Sequence, residues 1–320
     1  MELPLLLRQA VDQALEGVAI ADLTRAAASL SERYRGETRD GRLHLADDLS
    51  AKAYLATRLP ATYAAIRAAM TELAERHPDF TPESLLDVGA GPGTVLWAAS
   101  NCWPGLKTAR LVEASGAIRK CGETLAEASP VAAIDWQSGD VTKGVTGVNR
   151  PDLVSLAYVL SELAPEARDR LVGQLWALTG DVLLLVEPGT PKGWERILAA
   201  RERLIALDAH ILAPCPHRSP CPIKSPDWCH FSRRVARSRL HRLAKQADVP
   251  WEDEKFIYLA ASRKAGLPAE ARILAPPRAS KGRIDLKLCT ADGSLQERTV
   301  SKRDGALFKT ARRRDWGEFL

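Results

Sequence analysis

The chain has 320 residues, 46% of them apolar and 27% charged, with a net charge of +5. That length buries a large core and fits one large domain with additions, or two domains. No apolar run is long enough to span a bilayer, and six cysteines in so long a chain exclude a small disulfide scaffold and read as ligands in a reducing compartment.

The start, Met1-Glu-Leu-Pro-Leu-Leu-Leu-Arg, lacks the basic opening and small-residue cleavage site of a signal peptide. Glu2 argues against an arginine-rich transit peptide. The charge is uneven. Residues 1–200 hold 20 Lys+Arg against 26 Asp+Glu, a balance of −6, and residues 201–320 hold 25 against 14, a balance of +11. So basic a C-terminal third favours a polyanion partner, RNA or DNA, over a merely solvated face.

Residues 1–78 read as helices, with a helical pattern over 27–34 and an Ala-, Leu-, Arg- and Glu-rich stretch over 49–76, broken at Pro60. Pro78 and Pro82 mark a boundary. Strands and helices then alternate. Strands are predicted at 85–88, 109–113, 132–136, 152–158 and 181–187, with helices from 94, over 116–128, over 166–178 and from about 194 to 208. This alternation predicts an α/β fold around a parallel sheet covered on both faces. A cysteine-rich run interrupts the series after the fifth strand. A basic helix is predicted over 232–247, a strand over 255–262, and a hairpin of strands 282–290 and 295–301 turning at Ala291-Asp-Gly-Ser. The expected division is 1–78 helical, 79–210 the α/β core, 211–250 the cysteine-rich insertion with its basic helix, and 251–320 the last strands of the sheet and a basic β segment.

Asp87-Val-Gly-Ala-Gly-Pro-Gly follows the first strand and opens a helix, where glycines let backbone approach a ligand at the helix N-terminus. Glu113 ends the second strand, where an acid accepts ribose hydroxyls. Asp140 follows the third, in a position to meet an adenine amine. Together these resemble class I S-adenosylmethionine-dependent methyltransferases over roughly residues 84–190. The resemblance implies that Gly89, Gly91 and Gly93 flank the methionine part of the cofactor, Glu113 the ribose and Asp140 the adenine, with Asp87 also in the cofactor-binding set. A strand-to-helix turn that binds nothing is the plain structural alternative. A nicotinamide dehydrogenase is disfavoured by the glycine spacing and by the lack of a Tyr-x-x-x-Lys pair. The stretch Leu156-Ala-Tyr-Val-Leu-Ser-Glu-Leu lacks the Asn/Asp-Pro-Pro-aromatic motif of methylases acting on exocyclic base nitrogens. The dipeptides Pro214-Cys215 and Pro220-Cys221 lie too late in the chain to serve as a cytosine-methylase nucleophile. No catalytic residue is assigned.

The run Ala213-Pro-Cys-Pro-His-Arg-Ser-Pro-Cys-Pro-Ile-Lys-Ser-Pro-Asp-Trp-Cys-His-Phe holds Cys215, Cys221 and Cys229 among prolines that exclude helix and central strand. Clustered thiols order such a loop by binding a metal or an iron–sulfur cluster. Cys289, on the strand 282–290, supplies a fourth. The C-x5-C-x7-C spacing is neither a zinc ribbon nor a ferredoxin run. Four thiolates suit a 4Fe-4S cluster or tetrahedral zinc, with His217 and His230 as substitute zinc ligands or plain surface residues. Cys102 and Cys121 read as residues of the first two core helices.

These motifs carry a second resemblance. Cys215-Pro-His, Cys221-Pro and Asp227-Trp-Cys-His-Phe resemble the methyltransferase-like family of mitochondrial small-subunit ribosomal proteins and assembly factors, with its bacterial relatives. So do Leu288-Cys-Thr, Val300-Ser-Lys-Arg-Asp-Gly, Ala311-Arg-Arg-Arg-Asp-Trp-Gly and Ala53-Tyr-Leu-Ala-Thr-Arg-Leu-Pro-Ala-Thr-Tyr. The resemblance spans nearly the whole chain. It implies a class I methyltransferase fold, a 4Fe-4S cluster on Cys215, Cys221, Cys229 and Cys289, and binding to small-subunit rRNA during assembly. It also implies a monomer off the ribosome, located in the cytoplasm of a bacterium or the mitochondrial matrix of a eukaryote, with no membrane partner.

Arg233, Arg234, Arg237, Arg242 and Lys245 on the predicted basic helix are the expected RNA contacts, with Phe231, Val235, Leu240 and Leu243 on its inner side. Arg298, Lys302, Arg303, Lys309 and Arg312, Arg313 and Arg314 form a second basic group. The expected function is an rRNA-binding iron–sulfur factor of the small subunit, with methyl transfer to rRNA left open by the intact loop. The rivals are an RNA methyltransferase with structural zinc and a non-catalytic ribosome-associated binding protein.

Overall fold

Short apolar runs that must bury both faces become the parallel strands of the central sheet. The structure, a computed structural model, describes residues 1–38, 40, 43–144 and 149–320. Four helices come first: α1 (Leu5–Ala14), α2 (Ile20–Gly36), α3 (Asp48–Thr57) and α4 (Leu59–Arg76). Asp47 caps α3 by accepting from the Ser50 N–H at 2.8 Å. Pro60 sits in the first turn of α4, where its missing N–H costs nothing, so the break falls at Arg58.

Strands β1 (Ser84–Val88), β2 (Thr108–Glu113), β3 (Ala133–Ser138), β4 (Leu153–Ala157) and β5 (Val182–Pro188) alternate with helices α5 (Thr94–Cys102), α6 (Gly116–Ala126), α7 (Pro165–Leu178) and α8 (Pro191–Ala206). The remaining strands of this sheet are β6 (His210–Ala213), β7 (Phe231–Ala236) and β8 (Trp251–Ser262), and α9 (Arg239–Lys245) follows β7. The sheet order is β3-β2-β1-β4-β5-β8-β6. The first five strands are parallel, and β8 runs antiparallel between β5 and β6. A parallel sheet whose penultimate strand is reversed is the class I methyltransferase arrangement anticipated from the sequence.

The C-terminal segment folds as a second sheet of β9 (Ala271–Ile273), β10 (Arg278–Ser280), β11 (Arg283–Thr290) and β12 (Leu295–Ser301), with α10 (Ala306–Ala311) packed on it. Its small core is Ile273, Ile284, Leu286, Leu288, Val300 and Phe308.

Three expectations are corrected. The basic helix over 232–247 does not form: residues 231–236 are strand β7, paired antiparallel with Trp251–Phe256 of β8. Phe231 and Val235, four apart, share one face of a helix and of a strand alike, so their spacing did not distinguish the two periods. Only the short α9 remains helical, capped by Ser238 accepting from the His241 N–H at 3.1 Å. Leu243, expected inside, is 46% exposed. The cysteine segment lies between the sixth and seventh strands rather than between the fifth and sixth, because the four-residue β6 precedes it. Helix α8 starts at Pro191, with Thr190 as its N-cap, three residues before the expected Trp194.

Candidate cofactor cleft and thiol cluster

At the carboxyl ends of β1, β2 and β4 the chain opens a cleft of about 950 Å³. The glycine loop forms one wall. Asp87 is fully buried and its Oδ1 accepts from Ser155 Oγ at 2.7 Å, while Oδ2 has no hydrogen-bond partner among the described residues. Burial pushes its carboxyl up to about 7, against the Ser155 hydrogen bond and with help from the Glu113 charge. An acid whose pKa is raised by folding stabilises the fold at low pH and loses that contribution as pH climbs through the folded value. Asp87→Asn removes the titration. The variant should match the parent in melting temperature near pH 4 and exceed it progressively toward pH 7, as a pH series of thermal melts would show. A pH-independent difference would contradict this assignment.

Gly89 has φ +70, and a Cβ there would meet Val159 Cγ2 at 2.4 Å. Gly91 has φ +54, and a Cβ there would meet no described atom within 4 Å, because the residue faces the cleft. Gly93 is the N-cap of α5. Glu113 gathers the loop: its carboxylate accepts from the Gly91 N–H at 2.9 Å and the Ser115 N–H at 2.8 Å. Burial raises its pKa while these bonds oppose the rise. Asp140 stands exposed at the rim. The structure thus brings Gly89, Gly91, Glu113 and Asp140 to one cleft, with Asp87 and Gly93 behind its wall.

The opposite wall went unread in the sequence. Arg58 donates to both Glu254 oxygens at 3.0 and 3.3 Å, and Tyr158 Oη donates to the same carboxylate at 3.3 Å. Tyr34, Tyr54 and Thr62 complete this side. Tyr158 holds φ +62, a conformation that non-glycine residues seldom adopt and that collects at functional sites. Glu162 also lines the cleft, near the Glu113 and Glu187 charges. A signal was present: Tyr54, Arg58 and Thr62 all belong to the N-terminal stretch that carries the family resemblance.

None of the four candidate thiols lines this cleft. Cys215, Cys221 and Cys229 are half-buried, and Cys289, on β11, is buried. The four lie within electrostatic range of one another. Burial pushes the Cys289 thiol up to about 12, with Cys215 and Cys221 adding to the rise, and Cys229 is raised in the same way. Two buried guanidinium groups oppose this. Arg201 lowers Cys215, Cys221 and Cys289, and Arg272 lowers Cys215 and Cys229. Arg201 also holds the loop by donating to the carbonyls of His217 and Ser219, each at 2.8 Å. Among the described residues, no three His, Cys, Asp or Glu side chains stand close enough to hold a single metal ion. A cubane cluster is wider than one ion and takes its four thiolates at separate corners. The donor set, four thiols beside two buried cations, suits a dianionic tetrathiolate group, a 4Fe-4S cluster and a tetrahedral zinc alike.

His217 Nε2 lies 3.2 Å from Cys289 Sγ. His230 stacks on Trp228 and meets Trp316 edge-on, both with ring centroids 5.0 Å apart. Cys102 and Cys121 lie away on α5 and α6.

Most of the expected RNA contacts are occupied by acids. Arg234 pairs with Asp253 at 2.8 Å, Arg237 and Lys245 with Glu252 at 3.1 and 3.0 Å, and Arg233 approaches Glu72 at 3.9 Å. Arg242 is half-buried. The acids come from β8 and α4, so β7 and its neighbours form an ion-pair network more than a cationic surface.

Residues 48–320 match the family described as mitochondrial small ribosomal subunit Rsm22. The chain belongs to the Rsm22 family. It is 32% identical over 287 residues to the human ribosome assembly protein METTL17, mitochondrial, covering 83% of this chain and 61% of that protein. It is 23% identical over 320 residues to Rsm22-cox11 tandem protein 2, mitochondrial, of Schizosaccharomyces pombe, covering 84% of this chain and 42% of that one. The chain thus spans about three-fifths and two-fifths of the lengths of these two relatives. Similar solved structures include magnesium protoporphyrin IX methyltransferase from Synechocystis PCC 6803 with bound SAM, at 13% identity and TM-score 0.43, covering 78% of this chain and 99% of that one. Ribosomal protein L11 methylase from Lactobacillus delbrueckii subsp. bulgaricus is another, at 18% identity and TM-score 0.38, covering 62% and 77%.

Proposed function

We propose that this chain is an RNA-binding factor of small ribosomal subunit assembly that holds S-adenosylmethionine in the glycine-loop cleft and a 4Fe-4S cluster on Cys215, Cys221, Cys229 and Cys289. The observation that carries the reading is the family match over residues 48–320. The names of the human and yeast relatives support a ribosomal role and, in a eukaryote, a mitochondrial one.

The cleft supports the cofactor through three features of this chain. Gly91 leaves backbone open to the cleft, Glu113 offers a carboxylate at the end of β2, and Asp140 stands at the rim beyond β3. When bound, the cofactor supplies an activated methyl group. The protein's own part in a transfer is to position the acceptor and shield it from water. The wall of Tyr34, Tyr54 and Tyr158, with the Arg58–Glu254 pair, faces the loop and favours methyl transfer as a second reading.

Calorimetry tests the cofactor. The parent should bind S-adenosylmethionine. Gly91→Asp places a carboxylate in the cleft, where a ligand would lie, without striking any described protein atom within 4 Å of its Cβ. Binding should fall by about a hundredfold or more, and by far more than in Gly91→Ala, which carries the same backbone strain at φ +54 without the charge. No heat of binding and no thermal stabilisation in the parent would remove the cofactor from the proposal and leave a binding protein.

A further inference from the structure

We propose that RNA docks on the tip of the C-terminal sheet, where Lys281 and Arg283 of the β10–β11 turn meet Lys302 and Arg303 at the end of β12. The inference rests on the RNA-binding reading above and assigns its surface.

The chain's positive excess lies in its last third, but the structure divides that excess into two unlike groups. The cations of β7 and α9 face Glu252, Asp253 and Glu72. Those of the sheet tip are exposed, and among the described residues Lys281, Arg283, Lys302 and Arg303 have no acidic partner. Arg278, Lys309 and Arg313, also exposed, extend the same surface along β10 and α10.

The fold brings these side chains together. Arg283 is cross-strand from Ser301, and the Lys302 N–H donates to the Gly282 carbonyl at 3.2 Å. The Lys302 stem passes 3.6 Å from where a Gly282 Cβ would stand. The two nearest acids are engaged locally. Asp285 accepts from Thr299 Oγ1 at 2.6 Å, and Asp304 accepts from the Ser301 N–H and Oγ at 2.7 and 2.9 Å.

The chemistry of the tip selects the partner. Four unpaired cations on a rigid hairpin end match a run of phosphates. Among the described residues, Leu295 is the one exposed large apolar side chain on this sheet, and no exposed aromatic there offers a base a stacking face. The tip therefore binds backbone and shape in structured RNA, not unstacked bases.

The test uses the full chain and a small-subunit rRNA transcript, with affinity measured against salt. Lys281→Gln/Arg283→Gln/Lys302→Gln/Arg303→Gln should weaken binding about a hundredfold or more at 0.1 M salt. It should also make the log–log salt slope shallower by about 3, as loss of four phosphate contacts requires. Melting temperature should be kept, since all four side chains are exposed. Arg8→Gln/Arg25→Gln/Lys107→Gln/Lys120→Gln has the same net charge and should bind nearly as the parent does. Parent-like affinity and slope in the tip variant, with loss instead in Arg233→Gln/Arg234→Gln/Arg237→Gln, would overturn the tip and leave RNA binding standing. Equal losses in the tip and control variants would reduce the tip to bulk charge and overturn it. A parent that does not bind the transcript at all would remove the RNA reading itself.

Discussion

Anaerobically purified protein should be brown and contain about four iron and about four sulfide per chain, as one cubane requires. Ser in place of Cys215, Cys221, Cys229 or Cys289 should each remove most of that iron. The expectation follows from where the thiols stand. Three lie in a segment between β6 and β7 that contains no helix or strand of its own, and the fourth lies on a strand of the second sheet. Gly293, in the β11–β12 hairpin, approaches Ser219 of that segment so closely that a Cβ added to the glycine would stand 2.9 Å from the serine Cβ. A cluster there would tie the cysteine segment to β11, so its loss should raise amide exchange across both. Arg283 at one end of β11 and Cys289 near the other make the docking tip and the thiols two stations on one strand. Losing the cluster should therefore also weaken RNA binding while every tip cation is present. Stoichiometric zinc in a colourless protein after iron and sulfide reconstitution would overturn the cluster. A Cys289→Ser protein with full iron would remove only the fourth ligand.

The fold was legible where one local rule decided it. The central parallel strands announced themselves because both faces are buried and the runs are almost wholly apolar, as in the five residues from Val182 to Val186. The glycine loop was legible because strand, loop and helix are consecutive. Contacts between distant residues were not. The acids Glu252, Asp253 and Glu254 follow the arginines of β7 by some twenty positions, and only the antiparallel pairing of β7 with β8 sets Arg234 opposite Asp253. Read as a helix, the same arginines look unpaired. The far wall of the cleft was hidden for the same reason, since Arg58 meets Glu254 across 196 residues. The four thiols were found from residue type and resemblance, yet nothing in the spacing showed Arg201 and Arg272 beside them.

Arg272→Met should cost about 3–5 kcal/mol of stability, the usual consequence of removing one partner of a buried ion pair. Arg272 is 1% exposed and sits where α4, β8, β9 and the chain end meet. Its guanidinium donates to Glu72 Oε2 at 3.0 Å and to Tyr258 Oη at 2.8 Å. It also stacks over Phe319 and Phe231, with 4.3 and 4.7 Å to the ring centroids. Glu72 is 4% exposed, and burial already raises its pKa against the pull of Arg272. Without that cation Glu72 is easier to protonate than to bury charged. A raised acid loses its stabilising contribution as pH climbs through the folded value, so the deficit of Arg272→Met should widen from about pH 4 upward. Arg272→Met/Glu72→Met should recover much of the loss and abolish the widening, because no buried charge is left unpaired. Urea unfolding of the four proteins at two pH values measures all of this as one double-mutant cycle. Additive losses with no pH trend would show that the arginine stabilises through its aromatic stacking and its Tyr258 hydrogen bond and not through Glu72. Arg272 is also cross-strand from Cys289 and lowers two of the other thiols, so the single variant should hold iron less well than its stability alone explains. The double variant should share that iron defect even where its fold has recovered, since the cation beside the thiols is absent from both.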